Sequence, residues 1–195
     1  MTQIKDGTGT SVFQKVDKSN RASTKGVAST LQQDATARED SFNINSGTVV
    51  NSVATQQGIL YMKNNETRNV HITGIVAILG ASANGTETNV KIIKNPTAGT
   101  LIDTGTAADT NSNRNFGSND TFTADVFKGD GSATITDGTT HIESIIAGSL
   151  TRVFFGIDEV MTPGDSIGVT FTIANNDSAT NCMAAIICHL EDPNS

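Results

Sequence analysis

The chain has 195 residues, 36% of them apolar, with no tryptophan, one tyrosine and a formal net charge of −7. That length suits one domain, or one domain plus an appendage, and is enough to bury a substantial core. An acidic chain without a Lys/Arg run gains nothing from counterion release on nucleic acid, and no apolar run approaches the roughly 20 residues of a bilayer span, so neither nucleic acid nor membrane is an expected partner.

Residues 1–40 read as an extended arm: Gly7, Gly9 and many Thr, Ser, Lys, Asp and Gln surround scattered apolar residues. Within it LQQDATARED has the makings of a helical turn or two, but its apolar content cannot hold a free helix in water. The start, MTQIKDGTGT, has no apolar stretch of a secretory signal, which predicts a soluble protein made in a cytoplasm.

From Ser41 the texture changes, and residues 41–195 read as one β-sandwich domain. GILYMKN (58–64) and VHITGIVAILG (70–80) predict strands, as does NVKIIKN (89–95), closed by Pro96. In FTADVFKG (122–129) Phe122, Ala124 and Val126 share one face and Thr123, Asp125 and Phe127 the other. SATIT (132–136) is a further short apolar run. TTHIESIIAG (139–148) spaces Ile142, Ile145 and Ile146 as a short helix would, against the preference of β-branched residues. TRVFFGIDEV (151–160) predicts a strand with Phe154 and Phe155 on opposite sides, one of them free for an interface. MTPGD (161–165) is a turn. SIGVTFTIANN (166–176) and NCMAAIICHL (181–190) complete the strands; Ala and Met in the last favour helix, its position favours strand. Short runs bounded by turn residues predict an all-β antiparallel sandwich or jelly roll. No repeat or heptad is present.

The candidate chemistry is sparse. His71, His141 and His189 lie outside any ligand-spacing motif. Cys182 and Cys188 would share a strand face roughly 20 Å apart, beyond disulfide reach, and read as core thiols. DGTGT, KGDGS and TDGTT suit tight turns better than a calcium loop. There is no nucleophile elbow and no phosphate-binding loop. The pairs Asp158–Glu159 and Glu191–Asp192 would point to opposite faces and cannot act together. Tyr61, the single tyrosine, lies in an apolar run and reads as half-buried, which argues against a lectin. These residues predict no enzyme, no cofactor and no metal.

The order IKDGTGT…KVDKSNR, SFNINSGTV, GILYMKNNETR, KIIKNPTAGTLI, NRNFGSNDTFTADVFKG and TPGDSIGV before MAAIICHLED resembles a group of tailed-phage virion proteins. The resemblance covers most of the chain and rests on framework motifs. It implies a structural protein on the particle exterior: a capsid decoration or cement protein, assembled as a homotrimer with a jelly-roll body and clasping termini. Its partners would be copies of itself and the major capsid protein or other virion proteins. The alternative is a tail or head-fibre component that binds a host surface receptor or glycan. Candidate intersubunit or capsid contacts are Phe13, Val16 and Arg21 in the arm, and Arg114 and Phe116 in NRNFGSND. In that loop Arg114 would pair with a carboxylate and Phe116 fill a groove of its own domain or a neighbour; a self-satisfied turn is the other reading.

Overall fold

The computed structural model describes residues 4–5, 11–12, 31–51, 54–80, 87–100, 103–107, 110–146, 151–173 and 180–191. The chain divides into two units, Met1–Thr30 and Leu31–Ser195. In the first, β1 (Ile4–Lys5) and β2 (Ser11–Val12) pair antiparallel, Ile4 opposite Val12. Phe13, Val16 and Arg21 lie outside the described residues.

The second unit opens with helix α1 (Leu31–Ala37) instead of at Ser41. A seven-residue helix does not persist alone in water, so packing holds it. Ala35 is fully buried, and Gln32 Nε2 donates to Thr73 Oγ1 at 3.1 Å. The helix ends in a Schellman motif: Asp40 N donates to Ala35 O (2.8 Å), Glu39 N to Thr36 O (3.1 Å), and Glu39 takes the left-handed φ of 66°. Asp40 is thereby aimed at Arg68, whose two terminal nitrogens meet its two oxygens at 2.7 and 3.1 Å.

The strands that follow are β3 (Ser41–Asn45), β4 (Val49–Asn51), β5 (Gln57–Asn64), β6 (Val70–Leu79) and β7 (Thr88–Lys94). After them come β8 (Asp103–Ala107), β9 (Thr110–Asn113), β10 (Ala124–Lys128), β11 (Thr139–Ile146), β12 (Thr151–Met161), β13 (Ser166–Ile173) and β14 (Thr180–Leu190). They form two antiparallel sheets. The first runs β11-β7-β13-β5-β10-β8; the second runs β12-β6-β14-β3-β9, with β4 also paired to β14. Eight strands interleave as β5-β13-β7-β11 over β3-β14-β6-β12, which is the order of a jelly roll, and β8, β9 and β10 extend its edges.

The core lies between the sheets. It contains Ile44, Leu60, Met62, Ile72, Ile75, Val90, Ile92, Val169, Phe171 and Ile186, all fully buried. Phe122, Ala124 and Val126 face it as their alternation predicts, while Phe127 joins a small second cluster with Ile93, Ala133, Ile135 and Tyr61. Phe155 packs on the core and Phe154 is exposed. The predicted turn forms at Thr162–Asp165: Asp165 N donates to Thr162 O at 3.0 Å, and Gly164 takes φ +91°, the third-position geometry of a type II turn after proline.

Two sequence expectations are overturned. TTHIESIIAG is the edge strand β11 and no helix: Ile142 and Ile146 face the core two steps of the pleat apart, and Ile145 is exposed. SATIT forms no strand beyond one bridge, Thr136 to Ala98; Ala133 and Ile135 are buried because the segment straps across the outer face of the first sheet. Strands β3, β8 and β9 carry too few apolar residues to announce themselves, and β4, at three residues, is too short.

Cys182 and Cys188 sit on the core face of β14, 1% and 0% exposed. Burial pushes both thiols up to about 12. Neither should be alkylated by iodoacetamide in native protein, and both should react once guanidinium unfolds it; mass spectrometry reads the count, and a single native adduct would contradict this packing.

Candidate functional site

The loop NRNFGSND leaves β9 on the second sheet and crosses to β10 on the first. Its shape comes from its own side chains. Asn113 Oδ1 accepts Asn115 N (2.9 Å), Asn115 Oδ1 accepts Gly117 N (3.1 Å), and Ser118 Oγ accepts Asp120 N (3.0 Å). Such side-chain turns fix a backbone without a ladder. Two further bonds pin the loop to the body beyond α1: Ser118 Oγ donates to Glu39 Oε2 at 2.7 Å, and Asn113 Nδ2 donates to Glu39 O. The result is a rigid loop holding Phe116 wholly in solvent, with 105% relative exposure.

Arg114 donates its backbone N to Ser41 O at 2.8 Å, continuing the β3–β9 pairing. Its Nη1 is buried without a hydrogen-bond partner among the described residues, and no ion pair joins it to a described carboxylate. Its charge is felt by Cys188 and His189 instead. The loop's internal bonds fit a self-satisfied turn, but Phe116 fills no groove on its own domain.

Three clusters join residues that the sequence keeps far apart. His71 and His189 are register partners on β6 and β14, stacked with ring centroids 5.1 Å apart. They line a cavity of about 240 Å³ with Leu31, Asp34 and Arg38 of the helix region and Glu191. His189 is 7% exposed, and its Nδ1 has no hydrogen-bond partner among the described residues. Its pKa is lowered from 6.5, first by burial and then by the positive fields of His71, Arg38 and Arg114, against Asp158. A histidine lowered in the fold binds fewer protons there than in the unfolded chain. Its contribution is therefore fully present above about pH 6.5 and is lost as pH falls through that value toward the folded pKa. Melting temperature should fall between pH 7.5 and 5, and His189→Gln should flatten that slope; an unchanged slope would assign it to other groups.

The second cluster ties the sheets at their β11 and β12 edges. Glu159 Oε1 meets His141 Nε2 at 2.8 Å, and its Oε2 accepts from Lys94 Nζ of β7. The Lys94 bond is the main reason that the Glu159 carboxyl lies below its usual range. Asp158 points away, as neighbours on a strand must.

The third is a cavity of about 250 Å³ on the outer face of the first sheet, where Tyr61 lies against Phe127 beneath the residue 96–100 segment. Sequence reading placed Tyr61 in an apolar run. Its neighbours Leu60 and Met62 do enter the core, and the pleat turns Tyr61 the other way.

The Asp-Gly turns are occupied by their own backbone. Asp130 Oδ1 accepts from Ser132 N, Ser132 Oγ and Ala133 N at 2.8–2.9 Å, which lowers its pKa, the Ser132 backbone bond foremost. Asp137 and Gly138 take left-handed φ of 58° and 74°. DGTGT lies outside the described residues. Among the described residues no three His, Cys, Asp or Glu side chains gather as metal ligands, and no helix is long and apolar enough to cross a membrane. Neither the protein-family models nor the curated proteins contain a match to this chain.

Proposed function

We propose that the protein is a structural component of a tailed-phage particle, a capsid decoration protein that binds the assembled head as an oligomer. The observation that carries this reading is Phe116: a large apolar side chain left wholly in water on a loop whose backbone is shaped by its own hydrogen bonds and tied to Glu39. A rigid aromatic anchor loses little entropy on docking, which is how interface hot spots are built. Jelly rolls recur in viral capsids and also in lectins, so the fold alone decides nothing. The net charge of −7 suits a solvent-facing protein. Repetition over a symmetric lattice would multiply weak contacts. The test is co-sedimentation with assembled heads that lack the protein, beside free major capsid subunits, with light scattering for the free oligomer. Retention on heads alone, by a trimer, is the expected result; no retention on heads would end the proposal.

The Tyr61–Phe127 cavity favours a second reading, a tail or head-fibre component that meets a host surface glycan, because it is lined by two half-buried aromatic rings in a chain where aromatics are scarce. Binding to host cells or their surface polysaccharide tests it.

A further inference from the structure

We propose that the cavity on the outer face of the first sheet binds a neutral saccharide, with Tyr61 and Phe127 as its stacking floor and Lys63 and Asp125 as its polar edge. The proposal rests on the glycan-binding reading above and assigns it a site.

The floor follows from strand register. Strands β5 and β10 pair so that Phe127 lies opposite Tyr61, and Asp125 opposite Lys63. Residues two apart share a face, so all four project to the side away from the main core. The two rings lie nearly parallel, 15° apart, with centroids at 6.1 Å, and both line the cavity. Pro96 and Ile135 continue the lining, and both cover the backbone of Gly168, where a Cβ would lie 3.0 Å from Ile135 Cδ1.

The walls are fixed before any ligand arrives. Thr100 N donates to Thr134 Oγ1 (2.9 Å), and Thr134 N donates to Thr100 Oγ1 (3.0 Å). The Ala98–Thr136 bridge and the bond from Gln56 Nε2 to Ile135 O (2.7 Å) hold the strap at either side. A preformed site loses less on binding than one that must order itself. Its volume of about 250 Å³ lies just below the usual range of ligand pockets, about 300–1,000 Å³, and suits a single sugar ring.

The polar groups select the ligand. Lys63 and Asp125 face each other across the strands, yet neither forms an ion pair with a described residue. A carboxylate to accept from hydroxyls and an ammonium to donate to them stand at the edge of an aromatic floor. A sugar ring has the matching halves, an apolar C–H face and a hydroxyl rim. The two charges offset, which favours a neutral ring over an acidic one. An extended peptide fits less well. Strand β5 is already paired on both sides, by β13 and β10, so the floor offers no free sheet edge for main-chain bonds.

The chain has one tyrosine and no tryptophan, so tyrosine emission reports on this cavity alone. Full-length protein would be titrated with lactose, maltotriose and tri-N-acetylchitotriose, with sialyllactose and a tetrapeptide beside them, and assayed for binding to host-surface polysaccharide. A saturable change in emission with a neutral sugar is expected. Phe127→Ala and Asp125→Asn should each weaken binding roughly tenfold or more. Asp125 is exposed, so Asp125→Asn should melt like the parent, and Phe116→Ala should bind sugar like the parent. Polysaccharide binding that survives both cavity substitutions would overturn the site and leave the glycan reading standing. No binding of any saccharide by the parent protein would overturn both, and a response to the tetrapeptide or sialyllactose alone would overturn the neutral-sugar assignment.

Discussion

Replacing Phe171 with alanine is expected to cost about 3–5 kcal/mol of folding stability. Phe171 is fully buried on β13, an interior strand of the first sheet, with Val90 of β7 opposite it on one side and Gln57 of β5 on the other. Truncation removes most of an aromatic ring from the space between the sheets. The two sheets are tied by hydrogen bonds to their own strands and cannot close over the void, so the transfer loss and the cavity loss both apply. Against a typical total of about 5–15 kcal/mol, one substitution would remove a large part of the fold's margin. Guanidinium denaturation followed by circular dichroism reads the shift in midpoint. Phe154→Ala, at a residue 56% exposed, is the comparison, and it should shift the midpoint far less. Equal shifts for the two would contradict the assignment of Phe171 to the core and Phe154 to the surface.

Phe116→Ala is expected to do the opposite: leave stability unchanged and abolish particle binding. The side chain has no burial to lose, and the loop's shape is set by Asn113, Asn115 and Ser118, which the substitution leaves intact. A hot-spot aromatic contributes about 2 kcal/mol or more to an interface, roughly a thirtyfold change in affinity. Repeated over every site of a lattice, that loss would strip the protein from the particle. Sedimentation with heads measures retention, and thermal melting verifies the fold. Parent-like retention of Phe116→Ala would move the contact to another surface. Ser118→Ala is a useful companion: it removes the tie to Glu39 and frees the loop while keeping Phe116, so an intermediate loss is expected if rigidity matters.

Much of the body was legible in the chain because a strand with one buried face alternates. The pattern of FTADVFKG put Phe122, Ala124 and Val126 on the core face and Phe127 on the other, and TRVFFGIDEV separated Phe154 from Phe155. TTHIESIIAG misled because the spacing of Ile142 and Ile146 satisfies both a helical turn and two steps of a pleat. Only pairing with β7 chose between them. LQQDATARED was recognised as weakly helical, but its membership of the body depends on Ala35 burying against the sheet, a contact with strands far along the chain.

By itself, then, the sequence determined the class of fold, the positions of most long strands, the core thiols and the presence of the MTPGD turn. Each of these is written in local alternation or in the backbone preference of one or two residues. The tertiary structure alone decided the jelly-roll order and the clusters with chemical potential. His71 and His189 stack, Lys94 and His141 meet Glu159, and Tyr61 meets Phe127 because antiparallel register brings distant strands side by side. That register is set by which faces bury together, a property of the whole core and of no single segment.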